Sequence, residues 1–223
     1  ATIATHYVRA MVTHAASSKV FHKVGIGVLP VEIIKEETDY LIMMTQGKIE
    51  FSAPFIDEEH DTIMLALGLE QEDLDLRCAM QIVSTGHSKV MIGIKSRKKL
   101  DSLTPDMASL SRLSNVIGCN GYFVFTLDSQ VPGILTHGRM FAPAIGITED
   151  PVTGNANGPL GAYLVKHKLV TYTGDCFSFR GEQGAAIGRS GIVEVQVKIE
   201  NGEPVEVQVG GRAVIVFQTE IEV

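Results

Sequence analysis

Apolar residues recur at helical spacing in four stretches of the chain. In residues 1–12 they return every three or four positions, which predicts an amphipathic helix. Residues 57–68 predict a second helix, and a third begins at 104–106 and ends at Gly118. The fourth stretch, 160–170, has no polar stripe from 160 to 165, before basic residues at its end, so its helix should be buried on nearly all sides.

Shorter runs of β-branched and apolar residues, separated by glycine, proline and acidic residues, predict strands. These runs lie at 24–28, 31–34, 40–45, 81–85, 90–94, 122–127, 192–199, 205–209 and 213–218. The pairs Asn201-Gly202 and Gly210-Gly211 predict tight turns between the last three strands.

The stretch 139–164 combines these patterns as strand, tight loop and helix. Its strand, 141–147, contains a proline and a glycine and should be irregular. Residues 153–158 are all small or turn-forming, so their backbone N–H groups can point outward. The helix should start there, with Asn157 as its cap and Pro159 in its first turn. Because the N-terminus of a buried helix attracts negative charge, the loop predicts an anion site, and a substrate carboxylate is the economical occupant.

Asp150 comes directly before this loop and is the candidate catalytic residue. A carboxylate beside an anion site can donate or accept a proton, although a loop carboxylate can also be a helix cap or a solvated charge. Glu149 should point the other way and is interpreted as structural. The residues assigned to ligand binding, mainly through their backbone N–H groups, are Thr153, Gly154, Asn155 and Ala156.

The same stretch carries a resemblance to a known family. The loop sequence EDPVTGNANG at 149–158 follows RMFAP at 139–143 and precedes the pairs Gln183-Gly184 and Gly188-Arg189. In this order the motifs resemble the signature of the PhzF-like phenazine-biosynthesis family, which belongs to the diaminopimelate epimerase fold. Residues 1–5 resemble the segment that comes directly after a Gly-His pair in these proteins, so the chain is expected to lack the family's N-terminal segment.

The resemblance implies an α+β fold of two related lobes, each a mixed, barrel-like sheet around a central helix. The helices at 1–12 and 160–170 fall where those central helices would lie. We therefore expect residues 1–80 to be the remainder of an incomplete first lobe, and residues 81–223 to be a second lobe that carries the ligand-binding loop. An incomplete lobe would expose the apolar side of its helix, so the segment expressed alone should be poorly soluble or should associate.

The resemblance also implies a cofactor-independent isomerase or epimerase that moves a proton within a small carboxylate substrate. In the family's isomerisation of trans-2,3-dihydro-3-hydroxyanthranilate, a glutamate upstream of the Gly-His pair moves the proton, and an aspartate at the position of Asp150 assists. That glutamate would lie before Ala1, so the chain is expected to hold half of an active site. Asn155 stands where the family usually has Ser, which leaves the substrate open. A non-catalytic small-acid binding or assembly protein on the same scaffold is the alternative.

Cysteine and histidine positions argue against other chemistries. Cys78, Cys119 and Cys176 are widely spaced and form no Cys-x-x-Cys pair, which predicts reduced thiols in a cytoplasmic protein. None falls in the central loop, so the two-thiol mechanism of diaminopimelate-type epimerases is not expected. His87 lies in a Gly-His-Ser turn, where an exposed or locally bonded side chain is the ordinary outcome and ligand binding the alternative. No cluster has metal-ligand spacing and no nucleotide motif is complete, so we expect neither a metal nor another cofactor.

Charge and hydropathy limit the partners. The net charge is −7, and the densest basic run, 95–99, is short and interpreted as a solvated turn, so nucleic acid is not expected. No apolar run is long enough to span a bilayer, so a membrane is not expected either. A small-molecule carboxylate is the expected partner, and a homodimer is left open.

Overall fold

The computed structural model describes residues 2–25, 27–216 and 219 of the chain. The chain divides into two compact units, Ala1–Thr45 with Gly210–Val223, and Gln46–Val209. These units are defined by how compactly their residues pack, whereas the predicted boundary after residue 80 separates two lobes of related fold. The predicted boundary therefore stays a prediction. No helix in the described ranges is long and apolar enough to cross a membrane.

The described part of the first unit contains one helix and three antiparallel strands. These are α1 (Thr2–Thr13), β1 (Ser18–Val24), β2 (Gly27–Lys35) and β3 (Tyr40–Thr45). The helix packs against β2 and β3, and Tyr7, Val31 and Ile42 belong to the buried core between them. The Tyr7 hydroxyl donates to Asp39 Oδ1 at 2.6 Å, which ties the helix to the β2–β3 turn.

Most of the predictions for this unit are confirmed. The helix predicted at 1–12 is present from Thr2 onward, and Ala1 lies outside the described residues. The strands predicted at 31–34 and 40–45 are parts of β2 and β3.

The strand predicted at 24–28 is wrong, because the chain turns there. β1 ends at Val24 and β2 begins at Gly27, and these two residues face each other across the hairpin. Gly27 has a φ of 134°, a conformation that favours glycine. Ile26, also in the predicted strand, lies outside the described residues.

The second unit contains the remaining described elements. Its helices are α2 (Asp57–Leu67), α3 (Arg97–Ser102), α4 (Met107–Ile117) and α5 (Gly154–Lys166). Its strands are β4 (Glu50–Pro54), β5 (Gln81–Ser84), β6 (Lys89–Ile94), β7 (Tyr122–Thr126), β8 (Thr136–Ala142), β9 (Ile147–Asp150), β10 (Cys176–Gln183), β11 (Gly191–Glu200) and β12 (Glu203–Gly211). The last two residues of β12 belong to the first unit. Short 3-10 turns lie at Gln71–Asp73, Pro143–Ile145 and Ala185–Ile187.

The strands of the second unit form a mixed sheet around α5. Their order is β12-β11-β10-β8-β7-β6-β5-β4, with β9 paired to β8. β10 is parallel to β8 and β7 is parallel to β6, whereas β7 and β8 are antiparallel. Helix α5 packs against β10 and β11 and also against β5 and β6, which lie far apart in this order, so the sheet curves around the helix. The predicted α+β class, with a sheet around a central helix, is confirmed.

Helix α5 is buried along nearly its whole length, as predicted. Every residue from Ala156 to Val165 is buried. An ideal Cβ on Gly161 would lie 2.7 Å from Val195 Cγ1 and 2.9 Å from Val197 Cγ2, so this glycine lets the helix lie directly on β11.

The start of α5 differs from the prediction. The helix begins at Gly154 with Thr153 in the N-cap position, so Asn157 is not its cap and Pro159 lies inside it. The amides of Ala156 and Asn157 both donate to Thr153 O at 3.1 Å. These bonds close a first turn of α5 that starts before Asn157, the residue predicted to cap the helix.

Helices α2 and α4 confirm the second and third predicted helices. Asp106 caps α4, because its Oδ1 accepts hydrogen bonds from the amides of Ala108 and Ser109, each at 3.0 Å. Gly118 ends the helix with a φ of 67°, the conformation typical of a C-terminal glycine.

The strands predicted at 81–85, 90–94, 122–127, 192–199 and 205–209 are confirmed as β5, β6, β7, β11 and β12. The Asn201-Gly202 turn is also confirmed, and both of its residues have positive φ angles. The turn predicted at Gly210-Gly211 is wrong, since β12 runs through both residues. The strand predicted at 213–218 is wrong for 213–216, which have no regular structure, and 217–218 lie outside the described residues.

The basic run 95–99 is not a solvated turn, because α3 begins within it. Ser96 Oγ caps this helix by accepting from the Lys99 amide at 3.3 Å. The Arg97 guanidinium pairs with Glu182 Oε2 at 3.0 Å and its side chain is 26% exposed. The charge of Arg97 is therefore paired with a carboxylate of the same chain instead of facing solvent alone.

Candidate active site

The predicted strand 141–147 is two strands joined by a reversal. β8 ends at Ala142, and Pro143, which has no N–H for a ladder bond, starts a 3-10 turn. Gly146, with a φ of 81°, then sends the chain back as β9. The reversal places Asp150 opposite Met140 on β8.

Glu149 forms a buried ion pair with Arg139, which fits the structural role predicted for it. Arg139 Nε and Nη2 donate to the two carboxylate oxygens of Glu149 at 3.0 and 2.7 Å. The side chains are 9% and 8% exposed. Arg139 Nη1 also donates to Leu100 O at 3.1 Å and to Leu103 O at 2.8 Å. The pair therefore fastens β9 to β8 and to the α3–α4 connection.

Gln183, at the end of β10, holds the turn between Asp150 and α5. Its Nε2 donates to Asp150 O at 2.6 Å and to Thr153 Oγ1 at 3.0 Å. Its Oε1 accepts from the Thr153 amide at 3.1 Å and from Asn157 Nδ2 at 3.0 Å. Because Gln183 is only 1% exposed, these bonds fix the turn from inside the protein.

The next residue, Gly184, leaves room for the same turn. Its φ is 84°, and an ideal Cβ there would lie 2.6 Å from Pro151 O and would also meet Arg189 O. Both neighbours are backbone atoms that cannot rotate away. Gln183 therefore holds the turn after Asp150 by hydrogen bonds, and Gly184 lets the backbone of that turn approach closely.

Asp150 and the start of α5 face one cavity of about 180 Å³. Its lining comprises His87, Lys89, Met140, Ala142, Ile145, Ile147, Asp150, Thr153 and Asn155. Met140 and Ala142 are buried and apolar, whereas Asp150 and Thr153 are half-buried. The volume is below the roughly 300–1,000 Å³ of pockets for drug-sized ligands, so it suits a small molecule.

The structure places the predicted site residues together, but some of their backbone N–H groups already donate hydrogen bonds within the protein. Thr153 Oγ1 donates to Asp150 Oδ2 at 2.5 Å, which orients the carboxylate. The amide of Thr153 is bonded to Gln183, and that of Ala156 to Thr153 O. Within the described ranges, no hydrogen bond is found for the amides of Gly154 and Asn155, the first two of the helix. These two amides make up the open N-terminal end of α5.

Lys89 and Gln46 also belong to this region, and neither was identified from the sequence. Lys89 is half-buried, and burial lowers the pKa of its ammonium below the ordinary value, while nearby Cys119 and Asp150 act in the opposite direction. Gln46 Nε2 donates to Asn155 Oδ1 at 3.0 Å, which fixes the Asn155 side chain. A lone lysine or glutamine in a strand or loop carries no local signal of such a role.

The other candidate groups are less involved. His87 lines the cavity and its side chain is exposed, as expected for a histidine in such a turn, and ligand binding stays the alternative. Burial raises the pKa of the Cys78 thiol to about 12, which makes it unreactive at neutral pH. In the part of the chain that the structure describes, no three His, Cys, Asp or Glu side chains form a group that could hold a metal ion.

Comparison with known proteins identifies relatives of the whole chain. Residues 1–219 match the family of phenazine biosynthesis-like proteins. An uncharacterized isomerase of Clostridium acetobutylicum is 58% identical over 221 residues, which are 99% of this chain and 73% of that protein. The trans-2,3-dihydro-3-hydroxyanthranilate isomerase of Pseudomonas chlororaphis is 26% identical over 207 residues, 92% of this chain and 68% of that protein.

A solved structure gives the same answer for the fold. The crystal structure of a PhzF-family phenazine biosynthesis protein from Bacillus anthracis has a TM-score of 0.86 and 26% identity, and covers 100% of this chain and 75% of that one. The family match, the isomerase relatives and this likeness agree with the motif order around Asp150. The chain belongs to the phenazine biosynthesis-like protein family and is an isomerase of that family.

Proposed function

We propose that the cavity binds a small carboxylate and that Asp150 transfers a proton within it. One observation carries the proposal: Asp150 lines the same small cavity as Thr153 and Asn155, at the open N-terminal end of α5. The residues proposed to bind the substrate are Thr153, Gly154, Asn155 and Ala156. The Gly154 and Asn155 amides are the principal donors, because the Ala156 amide already donates to Thr153 O.

This arrangement suits isomerisation by proton transfer. A carboxylate held by the helix amides spreads negative charge toward the N-terminus of α5, where the dipole stabilises it. A C–H bond next to such a group becomes easier to deprotonate, and Asp150 acts as a general acid or base. The proton leaves one carbon and returns to another, so the oxidation state does not change. For that reason we propose that the reaction needs no cofactor.

We further propose a cyclic carboxylate as the substrate class. The relative from Pseudomonas chlororaphis is named for a ring substrate that carries a carboxylate. Buried Met140 and Ala142 give the cavity an apolar surface against which a ring can pack, while its polar groups gather around Asp150. The Asn155 side chain, fixed by Gln46, then contacts the ring substituents and contributes to specificity.

The free thiols of Cys78, Cys119 and Cys176 favour a cytoplasmic location, which we propose together with the function. A homodimer stays a prediction.

The proposal is tested by hydrogen exchange with solvent. The full-length protein is incubated in deuterated buffer with trans-2,3-dihydro-3-hydroxyanthranilate and a panel of other cyclic carboxylates, and deuterium at carbon is measured by mass spectrometry and NMR. An isomerase of the proposed kind incorporates solvent deuterium into at least one of them. Binding of these acids without exchange at carbon would contradict it and favour a non-catalytic small-acid binding protein.

A further inference from the structure

Lys89, the first residue of β6, shares the cavity with Asp150 but forms no direct ion pair in the described part of the chain. Its Nζ donates to Ser88 O at 2.9 Å, which uses one of the three N–H groups of an ammonium. The lysines that form ion pairs among the described residues are Lys19, Lys48, Lys99, Lys166 and Lys198. A half-buried ammonium is costly to desolvate unless it gains an anionic partner.

The absence of a side chain at Gly121 leaves space for the Lys89 side chain. An ideal Cβ on Gly121 would lie 2.9 Å from Lys89 Cε and 2.7 Å from Met140 Cε, and it would also overlap Lys89 Cδ. Gly121 is not among the glycines with a positive φ, so its backbone conformation does not require glycine. Its lack of a side chain is explained by the lysine stem and the methionine that lie across it.

Charge in the cavity shows what the lysine contributes. The N-terminus of α5 is equivalent to roughly +0.5 elementary charge, and Asp150 contributes −1 when ionised. With histidines counted as neutral, the two sum to about −0.5, which repels an anion, and the Lys89 ammonium changes this sum to about +0.5. The Arg139–Glu149 pair cancels internally.

We propose that Lys89 is a specificity-determining residue whose ammonium pairs with the carboxylate of the substrate, and that Gly121 positions it. The proposal rests on the proposed function and names the group that selects anionic substrates at that site. The two oxygens of a carboxylate can accept from the α5 amides and from the ammonium together.

The pairing has a defined pH dependence. The titratable groups around Lys89 are Asp150 on β9, the Cys119 thiol after α4 and His87 before β6. Because burial lowers the pKa of Lys89, its ammonium loses its proton at a lower pH than an ordinary lysine does. Carboxylate affinity should therefore fall as the pH rises through that pKa, while the affinity of a neutral ligand stays constant.

Calorimetric titration with anthranilate and with its neutral isostere anthranilamide tests the proposal. The wild-type protein should prefer the carboxylate, and Lys89→Met should weaken anthranilate binding by roughly tenfold to a hundredfold, the value of a hydrogen bond to a charged group. Anthranilamide binding should not change. Lys48→Met, at a lysine whose side chain is 84% exposed, is the control and should alter neither affinity.

Two further variants separate charge from structure. Lys89→Arg should retain part of the preference for anthranilate. Gly121→Ala should lose it as Lys89→Met does, because the added methyl group meets Lys89 Cδ and Cε and must displace the lysine stem. The proposal is overturned if the wild-type protein shows no preference for anthranilate, including binding of neither probe, or if the variants weaken both ligands equally. Deuterium exchange that survives in Asp150→Asn would instead count against the proposed function and leave this selectivity intact.

Discussion

Asp150→Asn in the full-length protein should lower turnover by about 10²–10⁴-fold, the usual contribution of general acid–base catalysis. Asparagine has nearly the same shape, and its Oδ1 can still accept from Thr153 Oγ1, so the turn held by Gln183 should persist. The substitution removes the carboxyl group that accepts and donates the proton. The measurement is the steady-state rate of whichever substrate supports solvent exchange, together with the rate of deuterium incorporation.

Asp175→Asn is the matched control, because Asp175 is exposed and lies in the loop before β10. This control should retain wild-type turnover. Anthranilate should bind Asp150→Asn at least as well as the wild type, since the variant removes a negative charge from the cavity. An undiminished exchange rate in Asp150→Asn would show that another group moves the proton.

Glu149→Gln should destabilise the fold by about 3–5 kcal/mol, the usual effect of removing one partner of a buried ion pair. Glutamine preserves the volume but leaves the Arg139 guanidinium, 9% exposed, without a counter-charge. The free energy of unfolding is measured by urea titration, with the m-value as a check that the same surface is exposed.

Glu203→Gln, which breaks the exposed pair between Lys166 and Glu203, is the control and should cost about 0–1 kcal/mol. The double variant Arg139→Met, Glu149→Leu should recover much of the loss, because an apolar pair of similar volume needs no counter-charge. Equal small losses for Glu149→Gln and Glu203→Gln would show that the Arg139 pair does not hold β9 in place.

The elements that the sequence predicts well are those specified by neighbouring residues. Asp106 and Gly118 bound α4 through bonds within one turn of the helix, so their residue types are sufficient to place its ends. The uninterrupted apolar run 160–165 likewise predicts the burial of α5. The Asp150 loop is recognisable because its small residues are contiguous and in the family order.

The features that the sequence does not predict depend on distant contacts. Local capping preferences favour Asn157 as the start of α5, but Gln183, from a later strand, binds the Thr153 amide and sets the start earlier. Lys89 lies about sixty residues before Asp150 and reaches the same cavity only through the strand order β6-β7-β8-β9. No spacing rule within the chain connects these two residues.

A crystal structure of the protein with bound anthranilate tests the position of the substrate site. We expect a carboxylate oxygen within about 2.7–3.2 Å of the Gly154 or Asn155 amide nitrogen, with the ring against Met140 and Ala142. A carboxylate bound away from the N-terminus of α5, with these amides making no contact to it, would contradict the assignment of this cavity as the substrate site.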